Sequence, residues 1–388
     1  MAGKLLTQDG RLMESWMHDL PTPCYVVDER IIIRNLEQLK SVSERSGCRI
    51  LLAQKAFAMH SLYPLISRYL CGTAASGLFE ARLGASRFGG ETHVYSPAYK
   101  QSDFDELTRI CGHIVFNTFV QWELYKEKAL QAGCSCGLRI NPECSTQEHA
   151  IYDPCAPGSR LGTTMAHFHA EELDGIEGLH MHTLCEQNAG ALVKTLQAAE
   201  EKFGIYMQKM KWLNLGGGHH ITREDYDVGT LIRELVRLRD TYGVQVYLEP
   251  GEAVALNAGY LVSSVTDTMN NGIDIAILDT SAACHMPDVL EMPYRPELID
   301  AARPGEKAHT YRLAGPTCLA GDIIGDYAFD KPLKPGDKLV FCDMAHYTMV
   351  KNNTFNGMPL PAIALHTIDG QNKIVRTFGF EDFESRLS

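Results

Sequence analysis

The chain has 388 residues, of which 45% are hydrophobic and 22% are charged, and its formal net charge is −12. This length is enough for two domains with a large core, and the composition is ordinary for a soluble globular protein. The acidic balance argues against a nucleic-acid partner, and the lack of an apolar run long enough to span a bilayer argues against a membrane protein.

The N-terminal stretch MAGKLLTQDGRLMESWMHDL mixes charged and apolar residues and lacks the apolar core of a signal peptide. The segment CYVVD that follows, at 24–28, has the composition of a strand. The twelve cysteines of the chain are scattered and form no CxxC pair. These features predict a cytoplasmic protein with reduced thiols and no metal site.

Between about residues 50 and 250, short β-rich runs alternate with helix-like stretches. The last helical stretch, TLIRELVRLRDTYG, has apolar residues at helical spacing and ends near Gly243, which is typical of a C-terminal cap. Eight strands that alternate with helices predict a parallel (β/α)8 TIM barrel. The predicted strands are ILLAQ (50–54), TAAS (73–76), THVYS (92–96), HIVFN (113–117), GLRIN (137–141), GLHMH (178–182), WLNLGG (212–217) and VQVYLEP (244–250).

After Gly259 the pattern changes to strand-like segments separated by Gly, Pro and Asn, without a helical rhythm until the tail EDFESRLS. This pattern predicts a C-terminal β-barrel or sandwich domain, which we expect the N-terminal strand CYVVD to join. The sequence therefore predicts a barrel domain over residues 29–259 and a β domain made of residues 1–28 and 260–388.

The ends of the predicted barrel strands carry reactive side chains. Reactive groups in such barrels cluster at the C-terminal strand ends, and phosphate often binds after the last two strands. Lys55, in LLAQKAFAM, stands at such an end, and a lone lysine there most simply reaches solvent. The other strand ends change this interpretation, because they offer Ser76, Arg139, His182, Gly216, Gly217, Gly218 and Glu249.

These groups suit a phosphorylated cofactor that binds a lysine covalently, and pyridoxal phosphate fits that description. A desolvated Lys55 has a lowered pKa and is nucleophilic. Three glycines in a row let backbone N–H groups approach a phosphate, although a glycine run alone is more often a turn. Glu249 is suited to keep a pyridine nitrogen protonated, although alone it equally suggests a partner of an arginine. His182 and Tyr347 are candidates for the ring face and the phosphate, and either alone is more often structural.

The motifs together resemble the fold-type III pyridoxal-phosphate decarboxylases, the group of alanine racemase, ornithine decarboxylase and diaminopimelate decarboxylase. The resemblance runs from TPCYVVD to AHYTM and rests on AQKAF, HMHTLCE, LNLGGG, LEPGE and GPTCLAGD. Within the group, HMPDVLEMPYRP (285–296), GDIIGDY (321–327) and YTMVKNNTFNG (347–357) resemble the carboxynorspermidine/carboxyspermidine decarboxylases. The resemblance implies decarboxylation of these carboxylated polyamines in spermidine biosynthesis.

The resemblance also implies roles for the matching residues. Lys55 matches the Schiff-base lysine, His182 the histidine that stacks on the cofactor ring, and Glu249 the partner of the pyridine nitrogen. The remaining cofactor-binding candidates are Ser76, Gly217, Gly218 and Tyr347.

Cys318, in GPTC, matches the cysteine that comes from the neighbouring subunit and protonates the α-carbon after CO2 loss. The resemblance therefore implies a homodimer with shared active sites, completed by the β domain. A thiol is able to give a proton to a carbanion equivalent, and its neighbours set its acidity. Asp322, four residues later, is a candidate neighbour and a candidate substrate-binding residue.

The sequence departs from the ornithine and diaminopimelate enzymes where the substrate side chain is expected. Ornithine decarboxylase-like enzymes carry EPGR, with the arginine near the phosphate, whereas position 252 is Glu. The arginine that holds the distal carboxylate of diaminopimelate has no clear match in HMPDVLE, which offers Asp288 and Glu291. Because the proposed substrates carry distal amines, we expect Glu252 and Asp288, assisted by Glu291, to bind them.

Two alternatives stay open on the sequence. The first is another enzyme of the same fold, a diaminopimelate or other basic amino-acid decarboxylase or an amino-acid racemase, although Glu249 and Cys318 argue against a racemase. The second is a non-catalytic pyridoxal-phosphate carrier or regulatory binder, against which the presence of Lys55 and Cys318 argues. The preference between carboxynorspermidine and carboxyspermidine is also open.

Overall fold

The computed structural model describes residues 16–388 and divides into two compact units. One unit is Arg34–Val254, and the other combines the chain up to Ile33 with Ala255–Ser388. Residues 1–15, which belong to the predicted β domain and to the stretch without a signal-peptide core, lie outside the described residues. Within residues 16–388, no helix is both long and apolar enough to cross a membrane.

The predicted parallel barrel is confirmed. Strands β2 to β9 form a closed barrel in which each strand pairs with its neighbours in parallel, and β9 closes onto β2. Parallel pairing places all eight carboxyl ends at one rim. The strands are β2 (Arg49–Ala53), β3 (Gly72–Ala75), β4 (Glu91–Tyr95), β5 (His113–Phe116), β6 (Ser135–Arg139), β7 (Ile176–His180), β8 (Trp212–Asn214) and β9 (Gln245–Leu248).

Helices connect the barrel strands. The helix Val228–Tyr242 begins after Asp227, whose side chain accepts a hydrogen bond from the Thr230 backbone N–H, and ends at Gly243 in the left-handed conformation, as the sequence predicts. The helices are α1 (Glu29–Ser46), α2 (Tyr63–Ile66), α3 (Leu78–Arg87), α4 (Gln101–Ile110), α5 (Phe119–Gln131), α6 (Ala189–Met207), α7 (Val228–Tyr242) and α8 (Glu252–Ala255).

Large aromatic side chains fill the interior of the barrel. Trp212 and Tyr247 pack there with Leu51. Gly137 and Gly178 make room for the indole, since a Cβ added at either position would lie 2.2 or 2.0 Å from ring atoms of Trp212. The barrel is therefore a packed core rather than a channel, which leaves its rim for chemistry.

The second unit is built on a mixed sheet with the order β13-β12-β11-β10-β1-β15-β16, with β14 also paired to β10. The expectation that CYVVD joins this sheet is confirmed, because β1 pairs antiparallel with β10 and parallel with β15. The strands are β1 (Cys24–Asp28), β10 (Gly259–Asn270), β11 (Asp274–Leu278), β12 (His309–Ala314), β13 (Ile323–Phe329), β14 (Lys338–Cys342), β15 (Ala362–His366) and β16 (Asn372–Arg376).

This unit also contains short helices, most of which could not be predicted from the sequence. A single turn spans too few residues for a 3.6-residue period to be visible. The long helix α1 was hidden for another reason, since its β-branched run at 31–33 is typical of a strand. The short helices are α9 (Ala282–His285), α10 (Asp288–Glu291), α11 (Thr348–Lys351) and α12 (Phe380–Glu384).

Candidate active site

Lys55 lies two residues beyond the end of β2, at the barrel rim. Its side chain keeps accessible surface, yet the surrounding protein desolvates it enough to lower its pKa. Both observations fit a side chain in an open recess, shielded from bulk water but not covered. The positive charge of Arg139 lowers the pKa further, against the opposing effect of Glu249. The amine is therefore more readily neutral, and so more nucleophilic, than an ordinary lysine.

Glu249 follows β9, and each of its carboxylate oxygens faces a polar side chain. Asn214 Nδ2 donates to Oε1 over 2.7 Å, and His180 Nε2 lies 3.5 Å from Oε2. Burial alone would raise the pKa of this carboxyl, but the contacts with His180 and Asn214 prevail and lower it to about 2. Glu249 therefore presents a fixed, ionised carboxylate at neutral pH.

The glycine triplet after β8 is shaped by close contacts that exclude side chains. Gly216 and Gly218 have φ of +69° and +80°, and a Cβ at Gly218 would lie 2.1 Å from the Leu184 carbonyl oxygen. The Gly217 N–H donates to His182 Nδ1 over 3.0 Å, so the proton of a neutral His182 is on Nε2. Burial, together with the charges of Lys55 and Arg139, keeps the pKa of His182 well below its usual value. His182 is thus a neutral, oriented imidazole beside a glycine loop.

Arg139 links this group to the wall of the barrel. It is 4% exposed, donates to the His182 carbonyl oxygen over 3.0 Å, and lies 4.5 Å above the Tyr95 ring. Tyr95 in turn donates its hydroxyl to Asn117 over 2.7 Å and stacks on His180. The residues around the predicted cofactor ring therefore form one connected set within the barrel.

This set fits pyridoxal phosphate. An accessible amine, an ionised carboxylate and a neutral imidazole lie at one rim, beside a backbone loop suited to an anion. Both ring nitrogens of His180 are buried without a hydrogen-bond partner among residues 16–388. The rim therefore contains polar groups whose hydrogen bonding is not satisfied by these residues, as expected beside a ligand site. Ser76 is exposed just beyond β3, and its backbone N–H donates to Glu80 over 2.6 Å. Its predicted role in cofactor binding stays a prediction.

Glu252, predicted to bind a substrate amine, contacts a histidine of its own unit. Its carboxylate lies 3.1 Å from His220 Nε2, and both side chains are mostly buried. Burial opposes a charge on His220, but Glu252 and Glu186 outweigh it, and the pKa of His220 is raised. The pair explains how a mostly buried glutamate is accommodated at position 252, because its carboxylate faces the histidine that lies two residues after the glycine triplet. The role of Glu252 toward substrate stays a prediction.

In the sheet unit, Asp288 and Glu291 lie on the single-turn helix α10 and share one ammonium group. Lys351, at the end of α11, donates to Asp288 Oδ1 and to Glu291 Oε2, the latter over 2.6 Å. Two carboxylates and one lysine leave a net charge of about −1 in this cluster. The acid pair predicted to bind substrate amines thus already binds an amine of the protein itself.

The loop after β12 carries Cys318 and is ordered by Asp322. Cys318 is exposed, whereas Asp322 is 2% exposed and accepts from the hydroxyls of Thr317 and Ser281 over 2.6 and 3.0 Å. Asp322 therefore fixes the loop that presents the thiol. The roles of Cys318 as proton donor and of Asp322 as substrate ligand are not tested by these contacts.

Tyr347 is the residue that precedes α11, and its backbone is unusual. Its φ and ψ are +52° and −53°, a conformation that L-residues rarely adopt. Such outliers concentrate at functional sites, where the surrounding structure holds them in place. This is consistent with the predicted phosphate ligand but does not test it.

Sequence reasoning missed several residues of the barrel set: His180, Tyr95, Asn117 and Asn214. A signal for His180 was present, since His180 and His182 are two apart in GLHMH and a strand places such residues on one face. Asn214 ends β8 and was open to the same reasoning as the other strand ends. Tyr95 and Asn117 are recognisable only from the packing of neighbouring strands.

Comparisons with known proteins agree with this geometry. Residues 24–345 match the family described as pyridoxal-dependent decarboxylase, C-terminal sheet domain. The carboxynorspermidine/carboxyspermidine decarboxylase of Campylobacter jejuni is 45% identical over 95% of this chain and 98% of its own. The carboxyaminopropylagmatine decarboxylase of Synechocystis sp. is 43% identical over 96% of each chain.

A solved structure is similar over the same extent. The crystal structure of carboxynorspermidine decarboxylase from Campylobacter jejuni, complexed with norspermidine, has a TM-score of 0.89 and 44% identity, and the match covers 95% of this chain and 100% of that one. The match extends over both units, and the identity is well above that of a shared fold alone. The chain belongs to the pyridoxal-dependent decarboxylase family, whose members are enzymes that use pyridoxal 5'-phosphate, and within it to the group of the carboxynorspermidine/carboxyspermidine decarboxylases.

Proposed function

We propose that the protein removes the α-carboxylate of carboxynorspermidine and carboxyspermidine, forming norspermidine and spermidine. The observation that carries this proposal is the connected set Lys55, Glu249 and His182 at the barrel rim, in a chain 45% identical to a decarboxylase named for these substrates. The acid pair that holds Lys351 supports it, because it has the charge that a substrate with distal amines requires.

The barrel residues each have a defined task in this reaction. Pyridoxal phosphate, when bound, supplies an electron sink for the pair left behind by CO2. Lys55 would hold the cofactor through its amine, which desolvation makes more readily neutral and nucleophilic. Glu249, ionised and held by Asn214, would keep a proton on the ring nitrogen, and His182 would cover the ring face as a neutral imidazole.

The sheet unit supplies the proton and the specificity in this proposal. Cys318 is exposed on a loop that Asp322 orders, so its thiol is available to protonate the α-carbon. Asp288 and Glu291 bind the distal ammonium groups, with Lys351 giving up the acid pair when substrate arrives. Glu252, which belongs to the barrel unit, is a further proposed ligand of these groups. As in the family, we propose that Cys318 acts in the active site of a second copy of the chain, in a homodimer.

Carboxyaminopropylagmatine is a second candidate substrate, favoured by the 43% identity to the Synechocystis decarboxylase. Its distal group is a guanidinium, which prefers two parallel hydrogen bonds to a carboxylate. Asp288 and Glu291 offer carboxylate oxygens close enough together to share one lysine. The same cluster is therefore able to select between an amine and a guanidine.

The deciding experiment is CO2 release by the purified holoenzyme with five substrates side by side. These are carboxynorspermidine, carboxyspermidine, carboxyaminopropylagmatine, meso-diaminopimelate and ornithine. We expect kcat/KM to be highest for a carboxylated triamine and lowest for diaminopimelate, whose distal carboxylate meets the acid pair. A preference for diaminopimelate would overturn the proposal, and a preference for carboxyaminopropylagmatine would select the second candidate.

A further inference from the structure

We propose that His180 is a positioning residue, which sets the orientation of Glu249 and couples it to His182. The inference rests on the proposed function only in that Glu249 faces the cofactor ring nitrogen. His180 ends β7, is 1% exposed, and places Nε2 3.5 Å from Oε2 of Glu249. It is thus the second group, besides Asn214, that faces this carboxylate.

Asn214 and His180 each contact a different oxygen of the Glu249 carboxylate. Asn214 Nδ2 holds Oε1 over 2.7 Å, and Asn214 Oδ1 is itself fixed by the Gly216 N–H over 2.8 Å. Asn214 alone leaves the carboxylate free to rotate about its bond to Cγ. A second contact at Oε2 fixes the plane of the carboxylate, and with it the direction in which Glu249 meets a ring nitrogen.

The charges around His180 favour its neutral form. Burial and the nearby positive charges of Arg139 and Lys55 outweigh Glu249, so the pKa of His180 is lowered. A neutral imidazole with its proton on Nε2 gives Glu249 a donor without neutralising the carboxylate. A charged histidine at this position would instead compete with the cofactor for the same negative charge.

Contacts through Tyr95 and Arg139 connect His180 to His182. Its ring lies on Tyr95, with centroids 5.3 Å apart and planes 22° apart. Tyr95 carries Arg139 on its face, and Arg139 donates to the His182 carbonyl oxygen. His180 therefore connects Glu249, the proposed partner of the ring nitrogen, with His182, the proposed residue on the ring face, and helps to fix their relative positions.

The test compares two substitutions that each keep half of the proposed role. His180→Gln keeps an N–H donor near the position of Nε2 but loses the flat ring on Tyr95. His180→Phe keeps the ring but loses the donor. His113→Phe is the matched control, because His113 is another barrel histidine that is stacked on a ring, that of His93, with centroids 3.9 Å apart.

The measurements are kcat and KM, the dissociation constant of pyridoxal phosphate for the apoprotein, and the Tm of the apoprotein. We expect His180→Phe to lower kcat and weaken cofactor binding about tenfold each, with KM unchanged, because Glu249 loses the polar group that faces its Oε2. His180→Gln is expected to stay within about threefold of the wild type in both quantities, and His113→Phe to change neither.

Two results would overturn the proposal. One is a His180→Phe enzyme with wild-type kcat and cofactor affinity. The other is the reverse order, with Gln worse than Phe, which would mean that packing on Tyr95 is the whole role. Failure of the proposed function would be seen separately, as a wild-type holoenzyme that is inactive on every carboxylated polyamine. The cofactor affinities and Tm values of the variants could still be compared in that case, so the role of His180 would still be tested.

Discussion

The barrel unit and the sheet unit hold their predicted functional residues in different ways. In the barrel, these residues contact one another, from Glu249 through Asn214 and the glycine loop to His182. In the sheet unit they contact other residues of that unit, as Asp288 and Glu291 do with Lys351. The predicted cofactor residues of the barrel are therefore already organised. The acids of the sheet unit, in their proposed role, exchange Lys351 for an amine of the substrate.

This contrast has an architectural cause. Parallel strands bring their carboxyl ends to one rim, so residues distant in sequence meet without any special local structure. The functional candidates of the sheet unit lie instead in loops and single-turn helices such as α10 and α11. Loops and short helices make their contacts by local packing, so the acid pair of α10 contacts Lys351 of α11 rather than the other predicted site residues.

The largest effect on activity is expected for substitution of Lys55, which tests the proposed cofactor site of the barrel unit. Lys55→Ala removes the amine that is proposed to hold the cofactor, so we expect loss of the visible absorbance of the attached cofactor and a fall in kcat of at least about 10³-fold. Absorbance spectra and CO2 release measure the two quantities. Lys211→Ala is the control, because Lys211 is an exposed partner of Glu177 at the start of β8. Turnover and absorbance that survive the loss of Lys55 would contradict the assigned mechanism.

Substitutions at Asp288 and Lys351 test the proposed role of the sheet unit in substrate binding. We expect Asp288→Ala to lower kcat/KM for carboxyspermidine by about one to two orders of magnitude, because one charge-assisted hydrogen bond to a distal amine is lost. Lys351→Met is expected to lower KM, since the competing ammonium is gone and the acid pair remains. Steady-state kinetics with both carboxylated triamines measure these effects.

Asp330→Ala is the control for these two variants, because Asp330 pairs with Lys307 at the surface of the same unit. If kcat/KM is unchanged in Asp288→Ala, the acid pair does not bind substrate. If KM rises in Lys351→Met, the lysine is a structural brace of α10 and α11 and not a competitor.

The comparison also explains which features were predictable from the sequence. The barrel, its strand ends and the position of Lys55 and Glu249 at one rim follow from a repeating sequence pattern, because parallel strands bring their carboxyl ends together. The roles of the two residues stay predictions. The contact of Glu252 with His220 was not predictable, because the two residues lie 32 positions apart and meet only in the folded barrel. Nor was the pairing of Asp288 with Lys351, since both helices are too short to leave a periodic pattern.

Gly218 tests how closely the glycine loop is packed. Gly218→Ala places a Cβ 2.1 Å from the Leu184 carbonyl oxygen at a φ of +80°, so we expect a loss of about 2 kcal/mol in the free energy of unfolding, together with weaker cofactor binding. Urea unfolding of the apoprotein and cofactor titration measure the two effects. Gly190→Ala, in α6, meets nothing within 4 Å and is expected to be close to neutral. Equal stability of both variants would show that the loop is able to move aside.

The smallest effect is expected for Glu252. This barrel residue contacts His220 and is also proposed to bind an amine of the substrate. The pKa of His220 is raised in the folded protein, against burial, by Glu252. A raised pKa of this kind contributes stability that is fully present below the histidine's unfolded pKa and is lost as the pH rises through the folded one. Glu252→Gln should therefore lower the free energy of unfolding by about 1 kcal/mol at pH 6 and by much less at pH 9.

The pH dependence of Tm measures this effect, with Glu224→Gln, an exposed glutamate of the same unit, as the control. The kinetics of the same variant decide the role of Glu252. A raised KM for carboxyspermidine means that Glu252 also binds a substrate amine, as Asp288 is proposed to do. An unchanged KM, with the pH-dependent loss of stability, means that Glu252 serves His220 alone, and specificity then belongs entirely to the sheet unit.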